Sequence, residues 1–250
     1  GRIESRESEV STVSLFVEVE SNRWTLIADS IEVSLQDPFY TRIDGQVILG
    51  GVEVVFLEDG TANWRTVFYH LATLSEAKKI FEGPWGMKDL RLKQLSSGEI
   101  LVLTRPQGTK GGRGKIGATI VHTLSDLTIE TITEAPLLSD QFCESEWGGG
   151  NEIHEIDGDI WVLGHIANFD DQGNRHYYAM VFCLERNQFA MTQAKIIAER
   201  NDFQQGPMKR PDLEDVVFSG GIHIYKDHIV LYAGISDAGA QKIKLENPFR

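Results

Sequence analysis

The sequence predicts an all-β fold, a five-bladed β-propeller formed as a single domain by residues 1–250. Two observations support this prediction: a strand–turn–strand pattern recurs along the chain, and helical periodicity is nearly absent. Only LSEAKKIF, residues 74–81, has the pattern of a short helix. A β-sandwich is the alternative, but sandwiches do not usually repeat one signature at the spacing of propeller blades.

Four copies of the pattern can be superposed on one another. Each has an extended strand, a tight polar turn and a strongly apolar strand, and the copies begin at Asp37, Lys88, Gly150 and Gly220. The turns are Asp44-Gly45, Ser97-Gly98, Asp157-Gly158 and Lys226-Asp227. Their spacings of 53, 60 and 69 residues leave room for about four short strands per copy, as in a propeller blade. The N-terminal GRIESRESEVSTVSLFVEVE resembles the second half of a further copy, so a fifth blade is expected, with its first strands missing.

Composition argues against several classes of protein. The formal net charge is -13 without a dense run of Lys or Arg, so neither a nucleic acid nor an anionic membrane is an expected partner. No stretch approaches the roughly 20 apolar residues that span a bilayer. Only Cys143 and Cys183 are present, without a secretory signal pattern, which favours a cytoplasmic protein. The dispersed histidines lack zinc spacing, so neither a metal nor another cofactor is expected.

Polar residues recur at equivalent places in the repeats, either where the first strand opens or just after the second. In a propeller the innermost strands line a central channel, so such positions converge although they are distant in sequence. These residues are Asp37, Glu53, Asp89, Arg105, Asn151, His165, His223 and Asp237. We therefore expect one polar pocket that contains acids, bases and an amide.

Asp89 is the candidate acid of this pocket. It lies in GPWGMKDLRLKQL, directly after a turn and between Lys88 and Arg91. A carboxyl group in a partly dry pocket can acquire a pKa that suits protonation of a glycosidic oxygen, although neighbouring cations oppose that shift. The alternative is a structural aspartate that caps the turn or pairs with Arg91.

The segment GTKGGRGKIG, residues 108–117, is a candidate anion site because it combines glycines with three cations. It is not a P-loop, since Thr109 and Ile116 stand where the Walker pattern needs Gly and Ser or Thr. Lys115 begins an apolar strand and is the cation expected to point inward. His165, after the apolar WVLG, either binds a ligand or is a buried histidine bonded to the backbone.

Several segments resemble one known family: GRIESRESE, DPFYTRIDGQVILGGVE, GMKDLRL, GKIGATIVHTLSDL, WGGGNEIHEIDG and VVFSGGIHIYKDHIVLYAGISDAGAQKIKL. The resemblance is to the five-bladed propellers of glycosyltransferase family 108, formerly domain of unknown function 1861, which are related to glycoside hydrolase family 130. It covers nearly the whole chain. It implies a β-mannoside phosphorylase or mannosyltransferase, many of which act on β-1,2-linked mannose.

The resemblance also implies roles for individual residues. Asp89 in GMKDLRL matches the general acid of the related phosphorylases, whose EDPR motif here reads KDLR. Asp237 in GISDAG matches an acid that lines the sugar pocket. The other pocket residues expected to bind the sugar are Asp37, Glu53, Asn151 and His223.

Phosphate binding is expected at Arg105, Lys115 and His165. The resemblance matches His165 to a phosphate-contacting histidine and places Lys115 near a basic residue of the family. One departure is GNE at residues 150–152, where the hydrolase-family phosphorylases open the next repeat with a lysine. The expected substrates are therefore an oligosaccharide together with inorganic phosphate or mannose 1-phosphate.

One acid beside a basic cluster favours phosphorolysis over hydrolysis. Inverting hydrolysis needs a second carboxylate as base, roughly 6.5–9.5 Å from the acid, whereas phosphate is already anionic. Two alternatives stay open, namely a propeller glycoside hydrolase of another linkage and a non-catalytic carbohydrate-binding propeller.

Overall fold

A computed structural model describes residues 1–5 and 7–249, and the chain divides into two compact units, Gly1–Lys88 and Asp89–Arg250. The described residues form six separate sheets, in which neighbouring strands run antiparallel, rather than the two stacked sheets of a sandwich. The predicted all-β fold class of the propeller type is confirmed. That residues 1–250 form one domain stays a prediction.

The first unit contains two two-stranded sheets and one four-stranded sheet. The small sheets pair β1 (Arg2–Glu4) with β2 (Ser11–Val13) and β3 (Phe16–Glu20) with β4 (Arg23–Leu26). The large sheet is a meander of β5 (Gln36–Ile43), β6 (Gln46–Phe56), β7 (Ala62–Thr73) and β8 (Glu76–Glu82). A small apolar core consists of Val13, Ile31, Leu35, Leu49 and Val67.

The helix predicted over residues 74–81 is wrong, because most of that stretch is strand β8. Along β8 the side chains alternate between exposed and half-buried, which is the period of a strand. Phe81 stacks on Phe68 of β7 with ring centroids 5.6 Å apart, and Lys79 forms an ion pair with Glu53 of β6. Pairing with β7 and these contacts override the local helical propensity.

The second unit contains three sheets, which correspond to the last three repeats. Their strands are β9 (Arg91–Gln94), β10 (Ile100–Thr104) and β11 (Gly117–Val121); β12 (Trp147–Ile156), β13 (Asp159–Phe169), β14 (Arg175–Glu185) and β15 (Ala190–Ala198); and β16 (Val217–Ile224), β17 (His228–Ile235) and β18 (Gly239–Glu246). Two short helices, α1 (Gly108–Gly111) and α2 (Ile129–Glu134), and 3-10 turns at Leu124–Asp126, Arg200–Asp202 and Pro211–Leu213 complete the unit. No helix among the described residues has the length and apolar character needed to cross a membrane.

Two apolar clusters cover the two faces of the β12–β15 sheet. Val162 of β13 packs in one cluster with Leu103 of β10, and the next residue, Leu163, packs in the other with Val217 of β16. Alternate side chains of a strand point to opposite faces, so both faces of β13 are buried. This explains why the WVLG stretch is uniformly apolar rather than alternating.

The predicted turn positions are confirmed by the backbone. Asp44 and Gly45 join β5 to β6 with φ values of 49° and 75°, and Asp157 and Gly158 join β12 to β13 with 52° and 93°. Positive φ at both central residues is the requirement of a type I′ hairpin turn, which Asp and Gly tolerate better than other residues.

The first strand of three sheets carries a β-bulge. In β12 the extra residue is Asn151, and in β16 it is Gly220, while β5 is irregular between Gln36 and Phe39. A bulge re-aims the side chains around it and is common next to active sites. The bulge of β12 therefore decides which residues of the second unit come together.

Candidate active site

Asp89 lies immediately before β9 in an unusual backbone conformation. Its φ is 61°, and the residue is only 1% exposed. Positive φ is uncommon for residues other than glycine, although Asp is among those that adopt it most readily. Such conformations cluster at functional sites, where the surrounding structure must hold them.

Two buried arginines flank the Asp89 carboxylate. Arg91 Nη2 lies 3.7 Å from Asp89 Oδ1, and Arg105 Nε lies 3.5 Å from Asp89 Oδ2. Both guanidinium groups are almost fully buried, with side-chain exposures of 4% and 3%. The pairing with Arg91 that the sequence left open is present, but Arg105 shares the same carboxylate. Three charged groups removed from water interact much more strongly than they would at the surface.

Arg91 connects Asp89 to two further residues of the predicted pocket. Its Nε donates to the backbone carbonyl of Asn151 at 2.8 Å, and its Nη1 donates to the carbonyl of Leu90 at 3.0 Å. The side-chain oxygen of Asn151, the bulge residue of β12, accepts a hydrogen bond from His165 Nδ1 at 2.8 Å. The structure thus joins Asp89, Asn151 and His165 in one buried group, through an ion pair with Arg91 and two hydrogen bonds.

Arg105 reaches the same group from the end of β10. Its Nε donates to the carbonyl of Gly148 at 2.6 Å, and its Nη2 donates to the carbonyl of Arg113 at 3.3 Å. The buried Nη1 has no hydrogen-bond partner among the described residues. A buried guanidinium with an unused donor is unusual, because buried polar groups are nearly always satisfied.

Glycine at position 149 allows the Arg105 and His165 side chains to lie side by side. A Cβ at Gly149 would be 2.9 Å from Arg105 Cδ and 2.9 Å from His165 Cε1. Gly114 has the same relation to the guanidinium, since a Cβ there would be 2.5 Å from Arg105 Cζ. The glycines of WGGGN and of residues 108–117 thus admit a buried cation, which the glycine content alone did not reveal.

An aromatic wall extends from His165 towards the surface. The His165 ring stacks on Tyr177 at 5.6 Å, and the Tyr177 hydroxyl accepts a hydrogen bond from Trp147 Nε1 at 3.0 Å. At the outer end, the exposed Arg113 guanidinium lies 4.6 Å from the ring centre of Phe169 and 5.4 Å from that of Trp147. Sequence reasoning missed these aromatic residues, whose only signal was their alternate placement on β12, β13 and β14.

Lys115 is not joined to this group by any contact in the described part of the chain. Its backbone N–H donates to Pro106 at 3.4 Å, and the residue is partly buried. Of the three residues predicted to bind phosphate, the structure brings together Arg105 and His165, both against Gly149. The role of Lys115 stays a prediction.

His223 lies in a different environment from the one predicted. It is exposed, and its ring stacks on Tyr225 at 4.6 Å, which in turn stacks on His228 at 4.5 Å. The physical reason is the bulge: the residue of β16 that corresponds to Asn151 is Gly220, three positions earlier. His223 therefore belongs to a surface stack, and no described contact joins it to the Asp89 group.

Asp237 has a backbone like that of Asp89 but a different partner. Its φ is 50°, it is exposed, and its Oδ2 lies 3.4 Å from Lys209 Nζ. The preceding Ser236 is buried and accepts a hydrogen bond from the buried Arg200. No described contact joins Asp237 to Asp89, so its predicted place in the sugar pocket stays a prediction.

The two remaining predicted residues lie in the first unit. Asp37, with φ of 48°, sits at the irregularity of β5 and pairs with Arg2 at 2.9 Å. Glu53 is held by both Arg65 and Lys79 at 2.7 Å. Burial raises the pKa of the Glu53 carboxyl, but hydrogen bonds from Lys79 and Arg65 outweigh it and leave that pKa below its ordinary value. Glu53 is thus an ionised member of an ion-pair network.

Solved structures similar to this chain include two proteins from Leishmania mexicana. MPT-4, a mannose phosphorylase solved in complex with a phosphate ion, is 31% identical with a TM-score of 0.91, and the match covers 100% of this chain and 79% of MPT-4. MPT-1, a GDP-Man-dependent mannosyltransferase, is 28% identical with a TM-score of 0.89, covering 100% and 80%.

A β-1,2-mannobiose phosphorylase from Listeria innocua is more distant, at 15% identity and a TM-score of 0.69 over 94% of this chain and 67% of that one, so it bears on the fold alone. No curated protein matches the chain. The family described as "Protein of unknown function (DUF1861)" matches residues 1–250. Because that match spans the whole sequence, the chain belongs to the DUF1861 family.

Proposed function

We propose that the chain is an inverting β-mannoside phosphorylase or mannosyltransferase, with β-1,2-linked mannooligosaccharides as its sugar substrates. Family membership and the likeness to MPT-4 and MPT-1 support an enzyme of the glycoside phosphorylase and glycosyltransferase class. The second substrate is inorganic phosphate, or mannose 1-phosphate in the reverse direction, and no further cofactor is invoked. A cytoplasmic location accompanies this proposal, supported by the free thiols of Cys143 and Cys183.

One observation carries the proposal: the buried Arg105 has a hydrogen-bond donor left over beside a buried carboxyl group. The Nη1 of Arg105 is unused among the described residues, while its Nε lies 3.5 Å from Asp89. Guanidinium groups bind phosphate through charge-assisted hydrogen bonds, which are the strongest that a side chain makes. An anion bound at Nη1 would lie close to an acid able to protonate a leaving oxygen.

The proposed roles follow from these positions. Asp89 donates a proton to the glycosidic oxygen as that bond breaks, and Arg105, His165 and Lys115 bind phosphate. Phosphate attacks the anomeric carbon from the opposite face and inverts its configuration. Because phosphate is already anionic, this reaction needs no second carboxylate as base. Sugar binding is proposed for Asn151 and Asp237 within the second unit; the roles expected for Asp37, Glu53 and His223 stay predictions.

A nucleotide-sugar donor is the second candidate. The observation that favours it is the likeness to MPT-1, which covers 100% of this chain at 28% identity. The same acid and cations would serve, since a diphosphate leaving group also carries anionic oxygens for Arg105 to bind. In this reading the chain elongates a mannoside from GDP-mannose instead of breaking it with phosphate.

Product analysis separates these candidates. The purified chain is incubated with β-1,2-mannooligosaccharides with and without phosphate, and with GDP-mannose as an alternative donor. Phosphate-dependent release of mannose 1-phosphate supports the phosphorylase, and elongation by GDP-mannose supports the transferase. Release of free mannose without phosphate would instead identify a hydrolase, and no product from any β-mannoside would leave a binding protein.

A further inference from the structure

Each of the two arginines around Asp89 donates two hydrogen bonds to backbone carbonyls, and the two differ in the surroundings of their third nitrogen. Arg91 donates to the backbone carbonyls of Asn151 and Leu90 and turns its third nitrogen towards Asp89. Arg105 donates from Nε to the Gly148 carbonyl at 2.6 Å and from Nη2 to the Arg113 carbonyl at 3.3 Å. Its Nη1 has no hydrogen-bond partner among the described residues, and its Nε lies 3.5 Å from Asp89 in an ion pair. Arg91 therefore directs its third nitrogen towards Asp89, whereas Arg105 retains a buried donor that no hydrogen bond among the described residues satisfies.

The acid faces a conflict in this arrangement. A carboxyl group must hold its proton in order to donate it. Burial of Asp89, which is 1% exposed, favours the neutral form, but the two cations beside the carboxylate favour the ionised form. A phosphate dianion at Arg105 would reverse this balance, because it neutralises one cation and adds a like charge close to Asp89. At low solvent exposure both effects are large.

We propose, on the basis of the proposed function, that Arg105 exchanges its partner from Asp89 to phosphate, so that Asp89 takes up its catalytic proton only when the anion is bound. Arg91 acts as a positioning residue that keeps the carboxyl group oriented throughout. Phosphate is then both the nucleophile and the agent that prepares the acid. In its absence Asp89 is ionised, and the enzyme does not protonate the glycosidic bond for attack by water.

The proton and electron balance of the step closes. The Asp89 carboxyl group gives its proton to the glycosidic oxygen, which keeps the electron pair of the broken C1–O bond. An oxygen of HPO4²⁻ forms the new bond to C1, and the product is the singly protonated ester of mannose 1-phosphate. That ester can return its proton to the Asp89 carboxylate, so the site is reset without net gain or loss of protons.

Among the described residues, the charged and titratable groups near Asp89 include Arg91 on β9, Arg105 directly after β10, and His165 on β13, which reaches the group through Asn151. His165 is the competing acceptor, because an imidazole can also take up a proton when an anion binds. Any test must therefore separate Asp89 from His165.

The test measures proton uptake when sulfate binds, since sulfate carries no proton near neutral pH. Calorimetric titrations between pH 7 and 8, in buffers of different ionisation enthalpy, give the number of protons taken up per anion. We expect up to about one proton per sulfate, and a sulfate Kd that rises up to about tenfold per pH unit. The pH dependence of the sulfate Kd is measured on the wild type, so this part of the test does not depend on whether a variant folds.

Two variants assign the proton. Asp89→Asn should bind sulfate without proton uptake, and His165→Gln should retain the uptake. Uptake that persists in Asp89→Asn, or that disappears only in His165→Gln, would overturn the proposal, as would a wild type that binds sulfate without any uptake. Phosphorolysis without proton uptake overturns this inference alone, whereas a wild type that binds neither sulfate nor phosphate overturns the proposed function as well.

The separate roles of Arg91, which orients the acid, and Arg105, which binds the anion, are tested by comparing kcat with the sulfate Kd. Arg91→Lys should lower kcat and leave the sulfate Kd nearly unchanged, because it disturbs the orientation of the acid. Arg105→Lys should raise both the sulfate Kd and the KM for phosphate, because a point charge replaces the planar fork. Equal effects of the two substitutions on kcat and on Kd would contradict separate roles.

Discussion

The two compact units differ in where they hold their charges. Among the described residues, every buried residue of an acidic or basic type lies in the second unit: Asp89, Arg91, Arg105, His165 and Arg200. The buried polar side chains of the first unit are uncharged: Ser11, Ser14 and Thr66. Burying charges costs free energy unless their partners are fixed in place, so the second unit accepts a cost in stability at its candidate active site.

The charges of the first unit form a partly exposed network instead. Glu53, Arg65, Lys79 and Glu82 pair with one another at 2.7–3.0 Å, with side-chain exposures of 17–45%. Water and salt screen such pairs, and each contributes little to stability. The same residue types therefore support surface structure in one unit and a candidate active site in the other.

Exposed apolar side chains are concentrated in the first unit, whereas the buried charges lie in the second. Of the seventeen large apolar side chains that are exposed among the described residues, thirteen lie in the first unit. On the β3–β4 hairpin Val17, Val19, Trp24 and Leu26 are each about half exposed, and hardly any residue of that hairpin is buried. This predicts that the first unit, and the β3–β4 hairpin in particular, opens locally at a lower free-energy cost than the second unit.

Amide hydrogen exchange should show the largest difference. Amides of β13, which is buried on both faces, should exchange only on global unfolding, whereas those of β3 and β4 should open at little cost. A global stability of at least about 5 kcal/mol corresponds to a difference in protection of more than about 10³-fold. Exchange measured by mass spectrometry on peptides from both units tests this. Equal protection of the amides in β13 and in the β3–β4 hairpin would contradict the predicted difference in local stability.

Asp89→Asn should have the next largest effect. General acid catalysis typically contributes about 10²–10⁴-fold, and turnover in phosphorolysis should fall by that factor while anion binding survives. Asp157→Asn is a matched control, because Asp157 also has positive φ, at 52°, but lies in a hairpin turn. A fall in turnover for the control, or near-normal turnover for Asp89→Asn, would contradict the role of this acid.

Gly149→Ala should weaken the site through sterics alone. The new Cβ would lie within 3 Å of both Arg105 and His165, so we expect a loss of about 1–3 kcal/mol in stability together with a raised KM for phosphate. Gly239→Ala in β18 is the control, since nothing lies within 4 Å of its Cβ position. Thermal unfolding and phosphorolysis kinetics measure the two effects. Equal behaviour of the two variants would argue against the close packing at Gly149.

Glu53→Gln should cost about 1 kcal/mol or less, because its ion pairs are partly exposed. The folded-state pKa of Glu53 is lowered, so its contribution to stability is present above the unfolded value and is lost as the pH falls through the folded one. The difference from wild type in urea unfolding should therefore shrink in acid and in high salt. A difference that grows in acid would reverse this assignment.

His176 should give the smallest effect, with the opposite sign. The hydrogen bond from His176 to Asp215 raises the pKa of the imidazole, and the contact with Asp170 adds to that effect. Its stabilisation is thus complete below the unfolded pKa and is lost as the pH rises through the raised one. His176→Gln should lower the free energy of unfolding at pH 5.5 by about 1 kcal/mol or less, measured by urea unfolding, and should converge with wild type at alkaline pH. A larger gap at alkaline pH than at pH 5.5 would contradict this, and the exposed His223→Gln serves as control.

Local chemistry and repetition made part of this structure predictable from the sequence. Asp44-Gly45 and Asp157-Gly158 have the chemistry of their hairpin turns, and the repeat brought Asp89, Asn151 and His165 into one expected pocket. The hydrogen bond between Asn151 and His165 then follows from strand pairing. These features depend on short-range backbone preferences or on strand order, which a sequence pattern records.

Features that depend on register and tertiary contact were not predictable. The exposed ring stack of His223 was not predictable, because no pattern reveals the bulge at Gly220 and one extra residue changes which side chains share a face. The helix expected at residues 74–81 failed because pairing with β7 outweighs local propensity. The stacking of Tyr177 on His165 joins residues on neighbouring strands whose alignment the sequence does not state.

The bulge at Asn151 reverses the alternation of side chains between the two faces of strand β12. Gly149 pairs with His165 and Ile153 pairs with Val162, which lie on opposite faces of β13. In a regular strand, residues 149 and 153 would share a face, so the extra residue lets β12 support the His165 side before the bulge and the apolar core after it. Deletion of Asn151 would restore regular alternation along β12. Gly149 and Ile153 would then share a face, and one of them would no longer face its present neighbours. Any transplant of this blade into another scaffold must therefore carry its odd residue with it.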